Sequence, residues 1–193
     1  MNELIIKMQE MFDTPEKWNS FQELVNQNGN IQNRWWQSLQ SAVYQIECTM
    51  GNPNWEIKKW GGWDIKWYVK GENENSLVIH FTGDYFRICA SGHLDFAKVN
   101  ELIVDQRFNP IKACFDRIDV VSQNDTIVCE YRNFSFGSSY DGRFPNHQTL
   151  SWYAGNRTND FAKQLIEKVR KIQTPEITAL FREINENCRK DMP

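Results

Sequence analysis

The sequence predicts an α+β fold, in which a mostly antiparallel sheet of about six to eight strands is flanked by N-terminal and C-terminal helices, with one helix inserted. Three observations carry this prediction. Apolar residues recur at helical spacing in residues 1–50 and 157–190, whereas short segments between them alternate with a period of two. No linker or internal repeat interrupts the chain, so we expect residues 1–193 to form a single domain.

The composition is that of a folded and nearly neutral protein. The 22 Lys and Arg against 25 Asp and Glu give a formal net charge of −3, without the positive surplus that nucleic-acid binding requires. With 12 Phe, 8 Trp and 6 Tyr, the chain carries more aromatic surface than a disordered segment leaves in water. No apolar run is long enough for a membrane span. We therefore expect neither a nucleic acid nor a membrane as the partner.

The cysteines and the first residues predict a cytoplasmic protein. The N-terminal residues lack the basic and apolar regions of a secretory signal. The 5 Cys are scattered without a C-x-x-C pair, which argues against a disulfide framework and a structural zinc site. No Walker A, G-x-G-x-x-G or H-E-x-x-H motif occurs, so the sequence predicts no cofactor and no metal.

The helices are predicted from start signals and apolar spacing. Residues 14–16 and 174–176 both read Thr-Pro-Glu, where Thr is a good N-cap and Pro a good first helical residue. The most regular pattern predicts a separate helix from Ile31 to about Met50, because apolar residues recur there every three or four positions and Gly51 follows. Further helices are predicted over residues 3–11, 95–107 and 159–171.

The first two strands are predicted to form a hairpin whose register follows from the alternation of side chains. A loop over residues 60–62 pairs Ile57 with Ile65 and Trp55 with Trp67, which places the apolar side chains on one face. The same register predicts two ion pairs on the other face, Glu56 with Lys66 and Lys58 with Asp64. Further strands are predicted over residues 77–82, 85–90, 118–122, 126–136 and 149–153.

One triplet on a predicted strand gives an alternative function. Asp64-Ile65-Lys66 resembles the second half of the PD-(D/E)xK motif of metal-dependent nucleases, in which carboxylates bind Mg²⁺ and the Lys helps to activate water. The upstream Asp is missing, because Asn54 follows Pro53. Together with Glu56-Ile57-Lys58, the chain holds two acid-x-Lys triplets in total, about as many as chance gives for this composition. A nuclease centred on Asp64 and Lys66 is therefore the alternative, and His80 in a later strand is expected to be structural.

The tryptophans give a second alternative. Six of the 8 Trp fall within residues 35–67, and we expect the Trp35 side of the third helix to pack on the Trp face of the hairpin. Trp36 and Trp60 leave this pattern and are expected to be exposed. Exposed Trp is typical of carbohydrate sites, so a small-ligand or carbohydrate binder is the second alternative.

The leading prediction is a binding module that recognises another protein. Residues 137–147 form a polar and aromatic loop that is longer than most hairpin connections, and such loops are common recognition elements. Tyr and Arg are also enriched at protein-binding hot spots. The predicted binding residues are Trp60, Tyr140, Arg143, Phe144 and His147. No residue is assigned a catalytic role, because no Ser or Cys stands in a recognisable nucleophile motif.

Overall fold

A computed structural model describes residues 3–60, 64–81, 86–90, 92–114, 127–131 and 157–190. These residues form a mixed fold of six α-helices and one five-stranded antiparallel sheet, which confirms the α+β class. The expected six to eight strands are not borne out by the described residues. Two of the predicted strands, over residues 118–122 and 149–153, lie outside them.

The elements follow one another along the chain in mixed order. The helices are α1 (Glu3–Met11), α2 (Pro15–Met50), α3 (Phe96–Ile103), α4 (Asn109–Lys112), α5 (Thr158–Ile172) and α6 (Pro175–Cys188). The strands are β1 (Trp55–Trp60), β2 (Asp64–Val69), β3 (Val78–Phe81), β4 (Phe86–Cys89) and β5 (Ile127–Tyr131). A 3₁₀ turn (Gln106–Phe108) precedes α4.

The two Thr-Pro-Glu signals start helices as predicted. Thr14 Oγ1 accepts a hydrogen bond from the backbone N–H of Lys17 at 3.3 Å at the start of α2. Thr174 Oγ1 accepts one from the N–H of Ile177 at 3.2 Å at the start of α6. Each cap satisfies an N–H group that has no partner inside the first helical turn.

The two long helices predicted in the N-terminal half are one helix. α2 has 36 residues and continues through Gly29, so the predicted start at Ile31 is wrong. A single glycine costs about 1 kcal/mol in a helix and does not end it, and no proline stands between Pro15 and Met50. The polar residues 26–30 interrupt the apolar pattern without interrupting the backbone. At 1.5 Å per residue, the helix is about 54 Å long.

The sheet is a meander in which the strands lie in chain order. Its inner face is apolar across neighbouring strands, with Ile65 opposite Phe81 and Phe81 opposite Phe86. The helices α2 and α5 cover this face. The Trp36 ring of α2 lies 5.5 Å from the Phe81 ring, and the Phe161 ring of α5 lies 6.0 Å from it.

The register of the first hairpin differs from the prediction by two residues. Ile57 lies opposite Trp67 and Trp55 opposite Val69, so residues 61–63 connect the strands. A shift of two keeps every side chain on its own face, because the side chains of a strand alternate with a period of two. The apolar residues therefore share the inner face as predicted, with Trp55, Ile65 and Trp67 buried.

The predicted ion pairs across this hairpin are wrong. Because of the shifted register, Lys58 lies opposite Lys66 and Glu56 opposite Tyr68. Lys58 instead forms an ion pair with Glu74, in the segment that follows β2. The remaining partner, Asp64, lies against His80 of β3. Lys58 and Asp64 thus each contact a residue outside the hairpin.

Trp36 is a core residue, which corrects the expectation that it is exposed. Its side chain is 2% exposed, and it begins a buried stripe on α2 that continues through Leu39, Val43 and Glu47. At 3.6 residues per turn, these positions lie on one side of the helix. The predicted stripe runs from Ile31 through Trp35, one position away, and its members Leu39 and Val43 are buried. The side chain of Trp35 lies outside the described residues.

Candidate functional site

The structure describes little of the predicted binding surface. Trp60 ends β1, and its backbone pairs with that of Asp64. Tyr140, Arg143, Phe144 and His147 lie outside the described residues. The loop over residues 137–147 therefore remains a prediction.

The described residues present a different exposed surface, which we call the N-terminal arm and define as residues 3–31. It comprises α1, the turn after it and the first part of α2. Every side chain from Pro15 to Asn30 is exposed apart from Phe21, which is half-buried. The first buried side chain among the described ones on α2 is Trp36. The helix thus extends about 30 Å from its N-terminus before it reaches the core.

Large apolar side chains are exposed on the arm. Trp18 is 48% exposed and Val25 is 51% exposed, whereas apolar side chains of this size are usually buried. The other exposed large apolar residues of the arm are Ile6, Met11 and Leu24. Singly exposed apolar residues are ordinary, so their grouping decides whether they matter. Trp18 and Val25 are seven residues apart and lie on one side of α2.

The apolar residues of the arm continue the stripe that α2 buries in the core. Trp18 and Trp36 are separated by five helical turns, and so are Val25 and Val43. Each pair therefore points to the same side of α2. One member of each pair, Trp36 or Val43, is packed in the core, whereas the other is exposed beyond the edge of the core. The arm thus offers a core-type helix face that the described residues leave about half exposed at Trp18 and Val25.

An aromatic cluster stabilises the turn between the two helices of the arm. The Phe12 ring lies 4.5 Å from the Phe21 ring and 6.0 Å from the Trp18 ring. The rings of Trp18 and Phe21 lie 5.7 Å apart. Such aromatic contacts contribute about 0.5–1.5 kcal/mol each beyond the area that they bury. The cluster fixes Trp18 at the surface and gives the arm a defined shape.

The arm is acidic. Residues 1–30 hold five acidic and two basic side chains, whereas residues 157–190 hold eight basic and five acidic ones. Both basic side chains of the arm pair within it, Lys7 with Glu3 at 3.1 Å and Lys17 with Asp13 at 2.5 Å. The positive charge available in the arm is therefore already engaged, and its surface field is negative.

A second site lies on the outer face of the sheet and consists of titratable side chains. We call Asp64, Lys66, His80, Arg87 and Cys89 the outer-face cluster. They come from the adjacent strands β2, β3 and β4, where Lys66 lies opposite His80 and His80 opposite Arg87. Because His80 alternates with Ile79 and Phe81, it lies on the face away from the main core.

His80 is the centre of this cluster. Its Nε2 lies 3.3 Å from Asp64 Oδ2, without the direction of a good hydrogen bond. Its Nδ1 accepts a hydrogen bond from Arg87 Nε at 3.4 Å and lies 3.7 Å from Cys89 Sγ. Since Arg is always a donor, Nδ1 carries the lone pair and Nε2 carries the proton. This is the neutral tautomer of the imidazole.

Burial keeps His80 neutral. It lowers the pKa of the imidazole, and the positive charges of Arg87 and Lys66 lower it further, while the carboxylate of Asp64 raises it. Burial also lowers the pKa of the Lys66 ammonium, and the Cys89 thiol, when it is ionised, and the Asp64 carboxylate oppose this shift. The cluster is thus a set of coupled charges held on a rigid sheet.

The cluster is not arranged as a metal site. Asp64 and Cys89 lie on opposite ring nitrogens of His80, so one ion cannot bind all three side chains. Within the part of the chain that the structure describes, no group of three His, Cys, Asp or Glu side chains could hold a metal ion. Asp64 faces an imidazole where a PD-(D/E)xK nuclease requires a second carboxylate. The described residues therefore give the nuclease alternative no support.

The tryptophans of the sheet do not form an exposed platform. Trp55 and Trp67 border an open groove of about 330 Å³, but both are buried. Their indole N–H groups are engaged, that of Trp55 with Thr178 Oγ1 and that of Trp67 with Glu47 Oε1, both at 2.9 Å. Stacking of a sugar needs a free ring face. Among the tryptophans whose side chains are described, Trp18 is the exposed one, and it belongs to the arm.

Both sites were missed by reading the sequence, although each leaves a signal there. The exposure of the arm is indicated by residues 26–30, which are all polar or Gly. A continuous helix with such a segment has no apolar side at these positions to pack against a core. The outer-face cluster becomes visible when the positions of Asp64, His80 and Cys89 are assigned to one face by alternation. Cross-strand neighbours of this kind depend on the register of β2, β3 and β4, which the alternation of side chains leaves open.

Comparisons with protein-family models, with curated proteins and with solved structures find no match to this chain. Among the described helices, none is both long and apolar enough to cross a membrane. The function is therefore argued from the two sites themselves.

Proposed function

We propose that this protein is a binding module that recognises another protein, and that the N-terminal arm is its main contact surface. The observation that carries the proposal is the exposed stripe of Trp18 and Val25, which continues the buried stripe of α2 beyond the core. A helix face of this kind is used when an amphipathic helix docks into or against a partner. The proposed location is the cytoplasm, in keeping with the free thiols of Cys48, Cys89, Cys114 and Cys188.

The chemistry of the arm selects the kind of partner. Its apolar stripe requires an apolar stripe opposite, and its excess of acidic side chains favours positive charge around that stripe. The partner segment is therefore a basic amphipathic helix. A second copy of the arm would meet its own negative charge, which disfavours pairing of two arms.

The loop over residues 137–147 stays in this proposal as a second contact region. Tyr140 and Arg143 are the residue types that supply most of the energy of protein interfaces. Their role does not depend on the arm and is tested separately. Replacing Tyr140 by Ala is expected to weaken binding of the natural partner by about 1–3 kcal/mol with little change in stability.

A designed peptide tests the proposal for the arm. The probe is a helical peptide with a leucine stripe and lysines on its other faces, compared with a peptide in which every lysine is replaced by glutamate. We expect the lysine peptide to bind and the glutamate peptide not to bind, as measured by calorimetric titration of the full chain. Binding is expected to fall at least tenfold in Trp18→Ser and in Val25→Ser, because each removes part of the apolar contact.

Ser20→Ala is the matched control, because Ser20 is exposed on the opposite side of the same helix. It is expected to bind the lysine peptide as well as the original chain. Equal binding of both peptides would contradict the charge argument. Unchanged binding in the Trp18 and Val25 variants would place the contact elsewhere. Concentration-dependent dimers that Trp18→Ser abolishes would show that a second copy covers the arm.

A further inference from the structure

The proposed binding function does not use the outer-face cluster. Burying its polar side chains lowers the stability of the fold more than apolar side chains at the same positions would. His80 and Cys89 are 7% and 6% exposed, yet each carries a polar group that water would solvate. Burying such groups beside two cations lowers stability unless they are paired. Val78, which shares this buried patch, shows that an apolar residue fits the same face. Concentrations of buried titratable groups of this kind occur at functional sites.

Three side chains of the cluster lie next to one another in the order that a nucleophilic site requires, which is a thiol, an imidazole and a carboxylate. Cys89 supplies a thiol 3.7 Å from Nδ1 of His80, and Asp64 supplies a carboxylate 3.3 Å from Nε2 on the other side of the ring. A nucleophile, a base and a group that orients the base are the parts that covalent catalysis needs. Each part comes from a different strand of one sheet, so the backbone keeps the three in place.

The protonation state of the cluster suits a base. Nδ1, the nitrogen that faces the thiol, carries the lone pair. The hydrogen bond that Arg87 Nε donates to this lone pair is long, at 3.4 Å, and has to give way when Nδ1 takes the thiol proton. Asp64 lies beside the Nε2 proton and would stabilise the imidazolium that forms. Arg87 Nε lies 3.4 Å from the same Nδ1, so a positive charge stands next to the sulfur as it becomes negative.

We infer that Cys89, His80 and Asp64 form a nucleophilic thiol site that accepts a small acyl group from an ester or a thioester. Cys89 Sγ attacks the carbonyl carbon, and its proton passes to Nδ1 of His80. The bond to the leaving alkoxide or thiolate then breaks, and the leaving group takes the proton from Nδ1. The product is a thioester on Cys89 and a free alcohol or thiol, so atoms and charge balance without a further reactant.

Access to the site favours a small acyl group. Among the three side chains, Asp64 has the greatest exposure, with 29% of its side chain in solvent. Lys66, next but one on the same strand, is half-buried. Solvent reaches the cluster at Asp64, whereas Cys89 is 6% exposed, so a bulky donor has no access to the sulfur. An acetyl group is small enough to serve as the probe.

The experiment measures acetyl transfer from p-nitrophenyl acetate to the full chain. It uses a Cys48→Ser background, because the Cys48 thiol is exposed and would react without any site. We expect one equivalent of p-nitrophenolate to be released in a first phase. Peptide mapping is expected to find the acetyl group on Cys89, and neutral hydroxylamine should remove it, as it removes thioesters but not acetylated amines.

Two variants separate an activated thiol from a buried one. His80→Gln is expected to slow acetylation of Cys89 by about 100-fold, the usual contribution of a general base. Cys188→Ser is the matched control: burial raises the pKa of the Cys188 thiol, and among the described residues the charged groups that shift it are Asp95, Lys98 and Glu101 and not an imidazole. The Cys188→Ser variant is expected to leave the first phase of p-nitrophenolate release unchanged. Absence of the acetyl group from Cys89, or equal rates in His80→Gln and the original chain, would overturn the inference.

Asp64 is tested as a positioning residue, which also covers the case that His80→Gln does not fold. Asp64→Asn is expected to slow acetylation of Cys89, and Asp64→Glu to restore part of the rate, because a carboxylate again faces Nε2. Circular dichroism checks that each variant keeps its fold. Equal rates in Asp64→Asn and the original chain would remove Asp64 from the site and contradict the proposed arrangement.

Discussion

Arg170 of α5 donates a hydrogen bond from Nη2 to Oε2 of Glu47 on α2, at 2.6 Å, and so joins the longest helix to the C-terminal helices. The carboxylate is buried and also accepts from Trp67 Nε1 at 2.9 Å. Arg170 Nη2 further donates to the backbone oxygen of Met50 at 3.1 Å. One ion pair therefore holds α2, α5 and the sheet together at the point where α2 ends.

Removing one partner of this pair is expected to be costly. Glu47→Ala leaves Arg170 and the Trp67 N–H without their acceptor, so we expect the free energy of unfolding to fall by about 3 kcal/mol. The measurement is urea unfolding followed by circular dichroism. A double variant, Glu47→Met with Arg170→Leu, is expected to recover part of the loss, because no charge is then left without its partner, although the Trp67 N–H still lacks its acceptor. A loss in the double variant that equals the sum of the single ones would refute this account of the pair.

Two glycines, one within α2 and one directly after it, give a matched pair of predictions. A Cβ at Gly51 would lie 2.3 Å from the backbone oxygen of Glu47, so Gly51→Ala forces the end of α2 to move. We expect a loss of about 1–3 kcal/mol, typical of overpacking. Gly51 has φ −62°, so its role is close approach and not a left-handed turn.

Gly29 is the control, because a Cβ there would meet no atom within 4 Å. In the middle of a helix, Gly29→Ala is expected to raise stability by about 0.5–1 kcal/mol. Thermal unfolding of both variants measures the difference. If Gly51→Ala is as stable as the original chain, the close approach at the end of α2 is not a constraint.

Trp36 and Trp18 of α2 are expected to contribute very different amounts to the free energy of unfolding. Trp36→Ala removes a buried ring that packs on Phe81, and we expect a loss of about 3–5 kcal/mol in the free energy of unfolding. Trp18→Ala removes a half-exposed ring with two aromatic contacts, each contributing about 0.5–1.5 kcal/mol, and is expected to cost less than about 3 kcal/mol. Denaturant titration of the two variants checks the comparison, and equal losses would show that Trp18 belongs to the core.

The pH dependence of stability is expected to report on His80. Its pKa in the folded protein is lowered from the ordinary value of 6.5, so the unfolded chain binds the proton more readily. The stability that the neutral imidazole contributes is therefore present above about pH 6.5 and is lost as the pH falls through the folded pKa. The charged groups that face it are Asp64, Lys66 and Arg87.

Urea unfolding at several pH values between 7 and 5 measures this effect. The original chain is expected to lose stability over this range, and His80→Gln is expected to lose less, because Gln does not titrate. Parallel curves for the two proteins would mean that His80 does not carry the pH dependence.

The sequence predicted local structure better than contacts between elements. The Thr-Pro-Glu caps, the helix over residues 3–11 and the inner face of the hairpin depend on neighbouring residues and on spacing, and they are confirmed. The predicted helix start at Ile31 is wrong because the polar residues 26–30 interrupt the apolar spacing but not the helical backbone, which tolerates Gly29. The register was wrong by two because alternation fixes the face of each residue and leaves its opposite partner open.

The sites could not be predicted for the same reason. The contact of His80 with Asp64 joins residues that are distant in sequence, and it exists because the register aligns β2 with β3. The exposure of Trp18 depends on where the core ends, and apolar spacing alone gives a core position and an exposed one the same pattern. Trp36 and Trp18 occupy equivalent positions on one helix, and the tertiary fold covers Trp36.

Hydrogen exchange of the full chain tests the central claim most directly, with and without the lysine peptide. In the free protein, residues 15–31 are expected to exchange faster than residues 36–47, because the arm lacks core contacts. The lysine peptide is expected to slow exchange over residues 15–31 in the original chain and in Ser20→Ala, but not in Trp18→Ser. Protection that maps to the sheet, or that persists in Trp18→Ser, would contradict the assignment of the arm as the surface that binds a protein partner.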